Sequence, residues 1–249
     1  MKKYRIAIVG KGNVATHLFK AFEGTGNIVS IIDSRILEGL STDFDIILIV
    51  VSDDVIEEVA SNIWKLLPTY NGVVAHTAGS VALNVLERFF PNHGVVYPMQ
   101  TFSKDFKNLD YSKIPVFIEG RNDKTYNILY EIANSFSKFV YPLSTEDRIK
   151  LHIASVFACN FTNALFQATD EIIKEINLPF SLFLPLIWQT VTKLEALTPS
   201  QAQTGPASRK DMKVIEHHLN ILAERQDLKE IYKKLTEFII SKNNEQDRL

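Results

Sequence analysis

One cysteine, Cys159, stands among 249 residues, so the chain cannot form an internal disulfide. That fits a reducing compartment, and a cytoplasmic location is expected. No stretch reaches the ~18 unbroken apolar residues of a membrane-spanning helix. The opening Met-Lys-Lys resembles a signal-peptide start, but its apolar stretch, Ile6 to Val9, ends at Gly-Lys-Gly. A strand suits those residues better than a secretory segment. An excess of one charge is also missing, since 27 Lys and Arg against 29 Asp and Glu leave a net −2. Such a balance offers no electrostatic footprint for nucleic acid. His, Cys, Asp and Glu show no metal-ligand spacing, and no Gly-x-Ser-x-Gly elbow marks a hydrolase.

What the chain does contain is concentrated at its start. Ile6 to Ala15 reads I-A-I-V-G-K-G-N-V-A, an apolar run ending in Gly-x-Gly-x-x-Ala that passes straight into a helical pattern. This strand–turn–helix is the arrangement that binds a dinucleotide pyrophosphate. Gly10 permits the tight turn, Gly12 lets the backbone approach phosphates, and Ala15 lets helix pack on strand. The first helical N–H groups, near Asn13 and Val14, then face an anion with the positive end of the helix dipole behind them. An acidic residue, Asp33, follows at about the 20-residue interval of such a unit. A purely structural turn is the alternative.

With 46% hydrophobic residues the chain can bury a sizeable core. Up to residue 145 short apolar strands alternate with helical patterns. Strands are expected at Ile6–Val9, Ile28–Ile32, Ile46–Val51, Val73–Ala75, Val95–Val96, Val116–Ile118 and Phe139–Tyr141. Helices are expected around Val14–Phe22, Asp54–Leu66, Ala82–Arg88 and Thr125–Ser137. The alternation implies a doubly wound, mostly parallel α/β sheet of Rossmann type over residues 1–145. From Glu146 the pattern is helical, beginning with a long helix over Glu146–Ile176 that stops before Pro179. Helices over Leu182–Leu197, Ala207–Leu222 and Leu228–Ser241 follow, then a charged, frayed tail, Lys242–Leu249. Residues 146–249 thus read as an all-α domain, with the long helix expected to pack directly on the sheet domain.

Five segments now stand in order: Gly10-Lys-Gly-Asn-Val-Ala15, Val51-Ser-Asp-Asp54, His76-Thr-Ala-Gly-Ser80, Tyr97-Pro-Met-Gln-Thr-Phe102 and Thr204-Gly-Pro-Ala-Ser-Arg-Lys-Asp211. Together they resemble a bacterial family of Rossmann-like NADP oxidoreductases carrying a carboxyl-terminal helical domain of unknown function. That family is distantly similar to pyrroline-5-carboxylate reductase. The resemblance covers essentially the whole chain, and Thr-Gly-Pro-x-x-Arg-x-Asp is its most specific piece. One departure is Tyr97, where the family favours histidine before proline. The resemblance implies a Rossmann fold, NAD(P) binding and oxidoreductase activity, and supplies no substrate.

The residues themselves leave the cofactor open. Asp33 at the end of the second strand accepts from a ribose 2′-OH and repels a 2′-phosphate, which favours NAD. Ser34 and Arg35 do the reverse, since a hydroxyl and a guanidinium suit a phosphate. The family resemblance tilts the choice to NADP, with NAD the alternative. Asp33 as a turn cap and Arg35 as a solvated charge is the structural reading. Ligands in open parallel sheets sit outside the carboxyl ends of the strands, which places Val51 and Ser52 along the cofactor. Asp53 and Asp54 there are equally caps of the next helix. His76 is a cofactor-facing candidate or a satisfied structural histidine.

On the long helix, His152, Cys159, Asn160, Asn163 and Gln167 fall within roughly a third of the circumference at 3.6 residues per turn. The stripe faces water, a polar network or a substrate cleft. On the cleft reading His152 is the proton donor or acceptor and Asn160 orients a substrate oxygen. Lys150 is the rival acid. Thr204, Gly205, Ser208 and Arg209 form a candidate anion site if Pro206 opens a helix; simple capping, with Arg209 paired to an acid, is the alternative.

The chain therefore reads as an NAD(P)-dependent oxidoreductase moving hydride between nicotinamide and a small carbonyl, imine or alcohol carbon. The alternative is a nucleotide-binding sensor or scaffold without turnover. Phe157, Phe161, Phe166, Phe180, Phe183, Leu184, Leu186, Ile187 and Trp188 exceed what two helices bury internally. A homodimer through the helical domain is expected, as the association of the distant reductases also implies. In it, the Thr204–Arg209 loop of one subunit is expected to close over the cleft of the other.

Overall fold

The computed structural model describes residues 2–104 and 108–246, and the chain divides into two compact units after Phe161. The first unit holds seven strands: β1 (Arg5–Val9), β2 (Ile28–Ile32), β3 (Ile46–Ile49), β4 (Val73–His76), β5 (His93–Pro98), β6 (Val116–Gly120) and β7 (Val140–Pro142). They form one sheet in the order β2-β1-β3-β4-β5-β6-β7. Strands β1 to β5 are parallel, β6 runs antiparallel to β5, and β7 is parallel to β6. The order reverses between β1 and β3, so a crevice opens at their carboxyl ends.

Both faces of the sheet are covered, which is why its central strands are continuously apolar. Along β1, Ile6 and Ile8 enter one core with α1 (Asn13–Phe22) and α3 (Asp123–Asn134). Ala7 and Val9 enter the other with α2 (Ile56–Leu66). Ala82–Arg88 does not form the expected helix and makes only a 3₁₀ turn, Leu83–Leu86. Leu86 alone is buried in that turn, where an amphipathic helix needs a stripe of apolar residues. Ser144 caps α4 (Thr145–Ser155) by accepting from the Asp147 N–H. Six residues in π-turns, Val156–Phe161, then close the unit. Residue 145 thus marks where the strands stop, and the first compact unit continues beyond it.

The second unit contains α5 (Thr162–Lys174), α6 (Leu184–Thr192), α7 (Pro199–Ala202), α8 (Met212–Ile221) and α9 (Gln226–Gln246). Pro185 lies in the first turn of α6. Arg225 pairs with Glu171 at 2.7 Å and Glu175 at 2.9 Å, tying α5 to the start of α9. The expected helix from Ala207 starts only at Met212, because Asp211 is the N-cap that accepts from the Val214 N–H at 3.3 Å. Helix α9 runs past Lys242 to Gln246, into the segment expected to fray; residues 247–249 of that tail lie outside the described residues. Among the described residues no helix is long and apolar enough to cross a membrane.

Candidate active site

The turn after β1 is built for close approach. Gly10 has φ +143° and hydrogen-bonds its N–H to the Ile32 carbonyl at 2.9 Å. A Cβ on Gly10 would run into the Val50 carbonyl, so the turn excludes any side chain there. A Cβ on Gly12 would instead meet no protein atom within 4 Å. Gly12 is the N-cap of α1, no side chain caps that terminus, and its first turn holds no acidic residue. The opening amides of α1 therefore point their partial positive charge into free space, the requirement for a bound pyrophosphate.

A cavity of about 600 Å³ lies over this turn. Gly10, Gly12, Asn13, Val14, Asp33, Ser34, Arg35, Val51 and Ser52 all line it. Asp33 is the first residue past β2 and accepts from Arg35 Nε at 3.3 Å, Arg35 Nη2 at 3.2 Å and Lys11 Nζ at 3.1 Å. Arg35 above all, and then Lys11, hold its carboxyl well below the ordinary carboxylate range. Two cations around one carboxylate leave a local excess of positive charge.

A second cavity, of about 710 Å³, continues from the first. Val14, Val51, Thr77, Gln100 and Phe102 belong to both walls. His152 and Asn160 line the second cavity, as do Tyr97, Asp53, Ser155 and Cys159. Tyr97 Oη and His152 Nδ1 are 3.1 Å apart. Burial pushes the Tyr97 hydroxyl up from its ordinary value, so the phenol is protonated at neutral pH. Asp53 opens a 3₁₀ turn and accepts a hydrogen bond from the Ser80 hydroxyl.

Helix α4 is fastened beside this cavity by Arg148, whose side chain is fully buried. Its Nη1 donates to the Ala78 and Gly79 carbonyls, each at 2.9 Å, and its Nη2 to Glu119 and the Thr145 hydroxyl, each at 3.2 Å. Burial lowers the guanidinium from its ordinary value, and Glu119 offsets this. His152 sits one turn further along α4, over Gly79. A Cβ on Gly79 would collide with its imidazole. Above α1, Asn13 Nδ2 donates to the Phe102 carbonyl at 3.2 Å. His17 lies 2.9 Å from the Ser103 carbonyl and 3.0 Å from Tyr111 Oη. The segment after β5 is thereby strapped across the seam of the two cavities.

Several expected residues fall elsewhere. His76 is fully buried and lines neither cavity; its Nδ1 accepts from the Ala78 N–H at 3.2 Å and its Nε2 has no partner. Burial, reinforced by the Arg148 charge, pushes its pKa down to about 3. At the end of β4 its side chain turns inward, and Thr77 reaches the cleft instead. Lys150 pairs with Glu146 at 2.7 Å on a solvated face, which removes it as a rival acid. Gln167 donates to Glu171 within α5. In the second unit the expected helix start at Pro206 is absent: residues 206–210 form turns in which the amides of Arg209, Lys210 and Asp211 are already donated to carbonyls. No helix begins at Thr204, Gly205, Ser208 or Arg209, and Asp211 caps α8. Tyr97, Gly79, Arg148 and Glu119 went unread as a set, because their contacts join residues far apart in sequence. Among the described residues no group of three His, Cys, Asp or Glu could hold a metal ion.

Fold and cleft together define a Rossmann-like protein with an additional helical unit. The chain belongs to the family described as a domain of unknown function, DUF2520, whose model matches residues 114–239. A Bacteroides fragilis protein provisionally named an NADP oxidoreductase is 35% identical to it. That alignment covers 96% of this chain and 98% of the other, with a TM-score of 0.88. A Thermotoga maritima protein aligns over 97% and 99% at 18% identity and a TM-score of 0.70. A 1-pyrroline-5-carboxylate reductase of Streptococcus pyogenes aligns over 97% and 98% at 15% identity and a TM-score of 0.60, a likeness of fold. No curated protein matches the sequence.

Proposed function

We propose that the chain is an NAD(P)-dependent oxidoreductase that prefers NADP(H) and acts on a small carbonyl, imine or alcohol carbon. The observation that carries this reading is the continuity of the glycine-turn cavity with the cavity of His152 and Asn160 through five shared residues. The name of the Bacteroides fragilis relative supports it. The nicotinamide supplies or accepts the hydride when bound. Gly10, Gly12 and the first amides of α1, at Asn13 and Val14, bind the pyrophosphate, while Val51 and Ser52 line its path. Lys11, Ser34 and Arg35 favour a 2′-phosphate, since Asp33 is already neutralised by two cations. His152 exchanges a proton with the substrate oxygen or nitrogen, and Asn160 orients it. The side chains of Thr204, Ser208 and Arg209 are offered to an acidic substituent of the substrate. A homodimer through the helical unit and a cytoplasmic location complete the proposal.

Thermal-shift and calorimetric titrations with NADPH and NADH test it. NADPH is expected to stabilise the chain more than NADH, and Arg35→Ala to remove most of the difference. A preference for NADH would overturn the NADP assignment alone. Stabilisation by neither would overturn the whole reading, and binding without turnover on any carbonyl, imine or alcohol would make the chain a nucleotide sensor.

A further inference from the structure

We propose that Thr77 and Gln100 form the subsite for the nicotinamide carboxamide. The Gln100 amide nitrogen donates to the carboxamide oxygen, and the carboxamide NH₂ donates to the Thr77 hydroxyl. This rests on the oxidoreductase reading and deepens it, since it names the side chains that fix the rotation of the reacting ring.

The seam of the two cavities locates the ring. A ring that exchanges hydride with a substrate beside His152, while its pyrophosphate lies on the glycine turn, stands where both cavities share a wall. Five residues line both: Val14, Val51, Thr77, Gln100 and Phe102. Val14, Val51 and Phe102 offer apolar surface, which suits the faces of a pyridine ring. Thr77 and Gln100 are the polar side chains of that wall, and the carboxamide is the hydrogen-bonding substituent of the ring.

Hydrogen-bond capacity assigns the partners. Gln100 Oε1 accepts from the Thr101 N–H at 2.8 Å and from the Thr101 hydroxyl at 3.3 Å. A backbone N–H can only donate, so the oxygen end of the Gln100 amide is the one that faces it, and both its lone pairs are spent. The NH₂ end has no partner among the described residues and can only donate. The Thr77 hydroxyl also has no partner among the described residues, and it is not sealed in the core. A carboxamide presents an NH₂ that only donates and an oxygen that only accepts. Its NH₂ therefore goes to Thr77, the acceptor left among the polar side chains of the wall, and its oxygen takes the Gln100 N–H.

Both side chains stand on fixed backbone, as a subsite requires. Beside Thr77, the Ala78 N–H donates to His76 Nδ1 at 3.2 Å, and the Ala78 and Gly79 carbonyls accept from Arg148, each at 2.9 Å. Gln100 lies between Met99, whose N–H donates to the Pro115 carbonyl at 2.9 Å, and Phe102, whose carbonyl accepts from Asn13 at 3.2 Å. A carboxamide held at both its oxygen and its nitrogen cannot turn over about the bond to ribose. One face of the ring is thereby presented to the cavity of His152.

Calorimetric titration of the full chain with three ligands tests the subsite. They are NADP⁺, its 3-acetylpyridine analogue, in which a methyl replaces the carboxamide NH₂, and 2′-phospho-ADP-ribose, which lacks the ring. The unmodified chain should bind NADP⁺ roughly 2–12-fold more tightly than the analogue, the usual worth of one neutral hydrogen bond. Thr77→Val should lose that much affinity for NADP⁺ and none for the analogue, which has no N–H to donate. Gln100→Met should weaken both, since both keep the carbonyl oxygen. Neither substitution should change the affinity for 2′-phospho-ADP-ribose. Equal affinity of the unmodified chain for NADP⁺ and the analogue would overturn the subsite without recourse to any variant. A Thr77→Val loss shared by all three ligands, the pattern of a merely structural change, would overturn it too. Binding of all three with indifference to both substitutions would overturn the subsite and spare the oxidoreductase reading. If NAD is the preferred cofactor, NAD⁺, its 3-acetylpyridine analogue and ADP-ribose give the same comparison. Binding of neither NADP⁺ nor NAD⁺ would bring down the reading and the subsite together.

Discussion

His76 is a titratable group with no place for a second proton. Its Nδ1 is occupied by the Ala78 N–H and its Nε2 is sealed in the core. With the native pKa pushed down to about 3, the unfolded chain binds a proton below its ordinary value of about 6.5 while the folded chain does not. Stability from this group is therefore complete above about pH 6.5 and is lost as pH falls toward 3, at a slope approaching about 1.4 kcal/mol per pH unit. His93, also lowered by burial, acts in the same direction. Asn at position 76 keeps an acceptor for Ala78 and does not titrate. Urea unfolding between pH 7.5 and pH 4.5 should show a flatter decline for His76→Asn than for the unmodified chain, and equal slopes would refute this account. His76 shows where reading single residues stops, because a histidine at a strand end points either to the cleft or to the core and only the pleat decides. The tight turn at Gly10 and the place of Asp33 at the end of β2 were legible because both follow from backbone geometry at fixed spacing.

At the level of elements, β1, β3 and α1 were legible for a simple reason: burial on both faces demands continuous apolar strands, and a helix over a sheet demands a stripe. The elements that escaped are those whose bounds depend on one side chain. Asp211 moves the start of α8, and the π-turns at Val156–Phe161 change which residues of the polar stripe share a face. The least legible contact holds the site together. Arg148 joins α4 to the loop after β4 and to Glu119 on β6, and no periodicity reports a pairing across 29 positions. A buried ion pair stripped of one member leaves its partner and two carbonyls short of donors. Arg148→Met should therefore cost about 3–5 kcal/mol in urea unfolding. Adding Glu119→Gln should make the double variant less destabilised than the sum of the two single changes. Strict additivity would show that the pair does not act as a unit.

At the scale of the whole molecule, the apolar surplus of the helical region has not been buried within one chain. Among the described residues, Ile173, Ala207, Ile215 and Leu228 are the buried hydrophobic residues of the second unit, whereas Trp188 is 67% exposed and Leu186 63%. Leu182, Leu184, Val191 and Leu194 are exposed beside them, and so are Phe157 and Phe161 at the end of the first unit. Single exposed apolar residues are ordinary, but a series along α6 and its flanks is the mark of a surface that another surface covers. A two-fold pairing lets the same face serve both copies, and a stable interface needs about 800 Å² from each. Light scattering at micromolar concentration should therefore give twice the mass of one chain. Leu184→Lys with Trp188→Lys places two charges on one face of α6 and should yield single chains, while the thermal shift caused by NADPH persists. A single-chain mass for the unmodified protein would defeat the dimer. A dimer indifferent to both lysines would place its interface away from α6, and the exposed face would then need a different partner.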